Sequence, residues 1–235
     1  MASKSRQGRV KGKIRERQNR NFSLSPEHHL IVSEGIKTEP NYFKALAKNI
    51  NDNRSFPARE KVDFIRFHIE GVGKNTRDVF DDAVEMAQEI EKRESVRIRK
   101  VWVVYDKDDF PHDRFNVVEE LCKKQSSDET QYFALWSNQC IELWFLLHFE
   151  YCNTALHRSD YERKLDNYLK SCGYSEKYEK NSEKMFEWLL PYIDEAMRNS
   201  KRLFATYSEE ATSAKKDPAT VVFQLFDILL PYIKR

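Results

Sequence analysis

Apolar positions recur along this chain in two rhythms that take turns. HLIVSEG (29–35) is a short apolar run closed by glycine, the signature of a buried strand. After it, Phe43, Leu46, Ala47 and Ile50 repeat at helical spacing, with Pro40 where a first helical turn tolerates it. VDFIRFHIEGVG (62–73) predicts a second strand. Asn75 then caps a helix whose buried face is Val79, Phe80, Ala83, Met86, Ala87 and Ile90. KVWVVYDKDD (100–109) predicts a third strand, residues 111–124 a helix, and YFALWSN (132–138) a fourth strand. Strands alternating with helices of this length imply an α/β fold whose parallel sheet is joined by right-handed crossovers.

In such a sheet the carboxyl ends of the strands share one edge, and ligands bind there. Glu34 ends the first strand, Gly71 and Gly73 follow the second, and Asp106, Asp108 and Asp109 end the third. Glycines on this edge, Gly35 among them, would let a phosphate or a metal approach the backbone. In extended backbone Asp106 and Asp108 point the same way and Lys107 the other. Two carboxylates that close repel unless a cation sits between them, and hard oxygen donors suit Mg2+ or Mn2+. Glu34 would complete a cluster for phosphoryl chemistry as a metal ligand or general acid/base. Acids that cap helices or line a solvated turn are the plainer alternative.

Charge changes the picture at one end only. The net charge is +2. Yet residues 1–22 hold Lys4, Arg6, Arg9, Lys11, Lys13, Arg15, Arg17 and Arg20 against Glu16 alone, which is +7 and leaves −5 on the remainder. This segment has too few large apolar residues to offset its ordering entropy, and reads as a solvated basic arm or an arm for nucleic acid. No window approaches the length of a membrane span and the basic start lacks an apolar stretch, so a soluble cytoplasmic protein is expected. The four cysteines show no CxxC pair and no zinc-like spacing with histidine. HIEGVGKNT fails the P-loop spacing, because glycine would be needed at His68 and Asn75 stands in place of Ser or Thr.

A strand ending in Glu-Gly followed by one ending in DxD resembles the TOPRIM fold of topoisomerases, DnaG-type primases and OLD-type nucleases. Taken together, EGIKTEPNYF, VWVVYDKDDF and SNQCIELWFLLHF resemble the RloB-like family over roughly residues 22–230. That resemblance implies a TOPRIM/Rossmann-like core at 23–150 behind the arm at 1–22, with a helical C-terminal extension at 151–235. It places Glu34, Asp106 and Asp108 on the acids that bind Mg2+ and cleave phosphodiesters, with Asp109 beside them. It further implies anti-phage defence, a nearby-encoded ATPase partner and a DNA or RNA substrate, tRNA included. The family's third motif commonly carries proline where this chain has Gln139.

In that third motif, CIELWFLLHF (140–149) is apolar on nearly every side and predicts a buried helix. With Asn138 as its cap, Glu142 lies near the first turn, where exposed amides stabilise a carboxylate; alternatively it reaches the acidic edge. His148 is expected in the core. Lys37 and Lys74 follow strands one and two, either as surface lysines or facing a phosphate backbone. Beyond residue 150 the pattern is helical, ending in DPATVVFQLFDILL (217–230) with Asp217 as cap. Three functions fit: a metal-dependent nuclease, a non-catalytic subunit binding nucleic acid or a partner, and a receiver-like phosphoacceptor. The last needs an acidic pair after strand one and a lysine after a fifth strand, neither of which is evident. An oligomer is compatible with all three.

Overall fold

The computed structural model describes residues 26–53, 65–74, 76–174 and 177–235. The basic arm at 1–22, the cap Asn75 and the first residues expected for strand two lie outside them. The sheet contains β1 (Glu27–Ser33), β2 (Ile65–Gly71), β3 (Ile98–Asp106), β4 (Gln131–Asn138) and β5 (Ala219–Thr220), in the order β2-β1-β3-β4-β5. The first four strands run parallel and β5 pairs antiparallel with β4. The apolar runs of β1, β3 and β4 are largely buried, as strands covered by helices on both faces must be, whereas edge strand β2 buries only Ile65 and Ile69.

Three helices carry the crossovers: α1 (Thr38–Asn51), α2 (Thr76–Glu94) and α3 (His112–Gln125). The chain steps from β1 outward to β2, then back across β1 to β3, so right-handed connections put α1 on one face and α2 on the other. Helix α3 packs beside α2. The α1 face is completed from further along the chain by α4 (Glu142–Leu146), α5 (Arg158–Ser171), α6 (Met185–Leu189), α7 (Ile193–Phe204) and α8 (Phe223–Leu229). Tyr42 of α1 shows how they lock together. Its hydroxyl accepts from Trp144 Nε1 at 2.9 Å, and its ring packs against Phe145, Phe186 and Phe226.

The expected helix at 217–230 is corrected by this arrangement. Asp217 is not a cap; Ala219 and Thr220 pair with Asn138 and Ser137, and the helix begins only at Phe223. The Thr220 and Ser137 hydroxyls, both buried, lie 2.9 Å apart, so these side chains satisfy one another across the new strand pair. A fifth strand therefore exists, but it is antiparallel and two residues long. The helical region at 151–235 contributes to this sheet and to the same buried cluster as the α/β core. No described helix is long and apolar enough to cross a membrane.

Candidate functional site

The strand order reverses between β1 and β3, and the connections there leave toward opposite faces, which opens a crevice at their carboxyl ends. Glu34 stands at this point. Its amide donates to the Val104 carbonyl of β3 at 3.0 Å, and its own carbonyl accepts from Gly73 N–H at 2.9 Å. Asp106 ends β3 alongside.

Asp106 is bound on one side only. Its Oδ2 accepts the Ile141 amide at 3.2 Å, while Oδ1 is sealed from solvent without a hydrogen-bond partner among the described residues. Burial, followed by the charges of Glu39, Glu142 and Asp108, pushes its carboxyl well above the usual range. Glu142, 3% exposed, opens α4 and accepts the Tyr178 hydroxyl at 2.7 Å, with the Lys180 ammonium 3.9 Å away. Glu39 lies in the first turn of α1 and is 6% exposed. Burial and the Glu142 and Asp108 charges, opposed by Lys180, push its carboxyl up to about 7. Four acids from three separated stretches thus share one field.

Glu39 is the acid that sequence reasoning passed over. Placing Pro40 in a first helical turn already put Glu39 at a helix start beside the strand edge, and that was the available signal. What the pattern could not carry is how Glu39 folds back. A Cβ on Gly35 would stand 2.1 Å from Glu39 Oε2, so the space at Gly35 belongs to this carboxylate. At Gly71 a Cβ would stand 2.4 Å from the Gly35 carbonyl oxygen and 2.7 Å from Pro40 Cγ. These glycines accommodate the Glu39 carboxylate and the β1–α1 loop, a use of the missing side chains that the sequence pattern did not reveal.

Asp108 joins the cluster by a route other than strand alternation. β3 stops at Asp106, and Asp108 has φ 40° in the following turn, where it pairs with Arg158 of α5 at 2.5 Å. Burial raises its carboxyl and Arg158 draws it back. Lys107 is buried, its ammonium donating to the Phe110 carbonyl. Asp109 is exposed on the same turn.

The other expected residues are placed as follows. Asn138 does not cap α4; its amide donates to the Ala214 and Lys216 carbonyls, both at 3.2 Å, and the Asn138–Gln139 peptide is cis. Lys74 pairs with Asp82 of α2 at 2.7 Å, and Lys37 is exposed at the start of α1. His148 is in the core as expected, its Nδ1 donating to the Trp144 carbonyl at 2.9 Å. The arm residues Arg6 to Arg20 lie outside the described residues.

Four buried or half-buried carboxylates, one with a sealed oxygen unpartnered among the described residues, supply the hard oxygen donors that a divalent cation takes, although no three of them bring ligand atoms within 4.8 Å of one another as they stand. No curated protein and no solved structure matches this chain. Residues 29–229 match the family model described as RloB-like protein. That match spans the crevice, most of β1, all of β2 to β5 and the helices packed on them, and the chain belongs to the RloB-like protein family.

Proposed function

We propose that this chain is a Mg2+- or Mn2+-dependent nuclease of the TOPRIM class, cleaving DNA or RNA, tRNA among its candidate substrates, in anti-phage defence alongside an ATPase. The observation that carries this reading is Asp106 Oδ1, shut away from water among like charges with no donor to answer it among the described residues. A divalent cation held by Asp106, Glu34 and Asp108 would relieve that repulsion, and when bound it would polarise a phosphodiester and stabilise charge developing on its oxygens. Glu39, with its carboxyl near 7, can hold or release a proton at neutral pH, as a general acid/base requires. Lys37 and the basic arm are suited to the phosphate backbone.

Asp106→Asn tests the reading. Metal tenfold above its dissociation constant should stabilise the wild type by about 1.4 kcal/mol, and the variant should lose most of that gain. Cleavage should vanish while nucleic-acid binding persists. A wild type that melts at the same temperature with and without millimolar Mg2+ or Mn2+ would remove the metal from this account.

A second reading, a non-catalytic subunit, draws on Arg158 and Tyr178, which already satisfy Asp108 and Glu142 from within the chain. Metal stabilisation without cleavage of DNA or RNA, with the ATPase supplied, would favour it.

A further inference from the structure

Away from the acidic crevice, on the α2 face of the sheet, three side chains converge whose chemistry differs from that of the carboxylate cluster. His28 is the second residue of β1, at the strand end opposite Glu34, and His68 lies on the neighbouring edge strand β2. The register pairs His28 with Arg66 and Leu30 with His68, so the two imidazoles are diagonal neighbours on one side of the sheet. His28 Nδ1 and His68 Nε2 are 3.1 Å apart. The last residue of α2, Glu94, brings its Oε1 to 3.9 Å from His68 Nδ1, the ring nitrogen other than the one that faces His28. One ligand atom from each of the three lies within 4.8 Å of the others.

We propose that His28, His68 and Glu94 form a binding site for a borderline divalent metal, Zn2+ or a similar transition ion, independent of the acidic crevice. Two nitrogens at tetrahedral positions around an ion bound at about 2.0–2.1 Å stand roughly 3.3 Å apart, close to the separation seen here. Imidazole selects Zn2+, Ni2+ or Cu2+ over Mg2+, so the two sites would not compete for one ion. Two histidines and a glutamate also leave a fourth position for water or a ligand atom.

The surroundings are compatible. His28 is buried, while Glu94 keeps 29% of its side chain exposed, which gives an ion a way in. Burial, with Arg66 nearby, holds both imidazoles below their ordinary value, so they are neutral at pH 7 as ligands must be. Glu94 also meets Arg93 at 3.0 Å, but Arg93 is 65% exposed and such surface pairs are weak, so an ion can displace it. Occupied, the site would tie edge strand β2 and the end of α2 to β1.

Titration of Zn2+ alone into the full chain, stripped with a chelator, decides the matter. The Asp106→Asn variant should serve as the background, so that the carboxylate cluster is already weakened. Saturable uptake of one Zn2+ per chain is expected. Glu94→Gln, a change at an accessible position, and His68→Gln should each weaken it by about tenfold or more, the scale on which even outer-shell losses act on metal sites. Co2+ in place of Zn2+ should give the visible absorption of a four-coordinate site, lost in the same variants. Absence of uptake would overturn the proposal, as would uptake unchanged by Glu94→Gln, which decides alone if His68→Gln fails to fold.

Discussion

Glu39 is confined between the Cα of Gly35 and the charges of its acidic neighbours, and this makes it the side chain whose ionisation the fold resists most legibly. Its carboxyl lies at about 7 in the folded chain against 4.5 ordinarily, so between those values the folded state binds more protons than the unfolded one. The stability this group contributes is complete below about pH 4.5 and is lost as pH rises through about 7. Taken alone, Glu39 should lower the melting temperature of the metal-free protein near pH 8 relative to pH 5. The buried His29 and His148, held down to about 4 and about 3, act in the opposite direction, so the variant rather than the wild-type profile isolates it. Glu39→Gln should leave the melting temperature almost unchanged near pH 5 and raise it near pH 8 by about 2–4 °C for each kcal/mol relieved, read by a thermal melt. A variant that tracks the wild type at both values would show that Glu39 is not strained. The sequence made Asp106 legible because a buried strand running into DxD is a local pattern. Glu39 was not, because an acid in a first helical turn is ordinarily favourable, and its burial in the tertiary fold, together with the charges of Glu142 and Asp108, reverses its sign.

Among the elements, β1, β3 and β4 could be read from the chain because strands covered on both faces are apolar runs, and edge strand β2 because it alternates apolar with polar residues. β5 could not, since two residues carry no period, and an Asp-Pro ahead of an apolar run is an ordinary helix-start signal. Strand alternation likewise misdescribed Asp108, because the rule holds only while the backbone stays extended and β3 ends two residues earlier. The short helix α4 shows the dependence of one element on another. Its first residue, Glu142, accepts a hydrogen bond from Tyr178, which stands between α5 and α6. Tyr178→Phe removes the donor and leaves a buried carboxylate oxygen, which should cost about 1–3 kcal/mol. A double-mutant cycle with Glu142→Gln, followed by denaturant unfolding, should give a coupling energy clearly different from zero; additive effects would detach Tyr178 from the acid cluster.

On the scale of the whole molecule, the C-terminal region is a structural part of the sheet. Trp144 stacks on Phe226, Asn138 is held by the Ala214 and Lys216 carbonyls, and Val221 N–H donates to the Trp136 carbonyl at 3.0 Å. A chain cut after residue 150 would expose Trp144, Phe145 and Leu146, all fully buried in the intact protein. It should lose the cooperative thermal transition and bind a hydrophobic dye, whereas a sharp melt for that fragment would establish 23–150 as an autonomous unit. Synthesis proceeds from the N-terminus, so the antiparallel pairing of β5 with β4 has a consequence in time. Every strand that carries an acid of the crevice is made well before residues 219–220, yet the last edge of the sheet closes only when they arrive. Arg158, Tyr178 and Lys180, which face the acids, also emerge later than Glu39, Asp106 and Glu142. A ribosome that has not yet delivered residues 219–220 therefore holds an unfinished site, and the crevice is assembled only after β5 has joined β4.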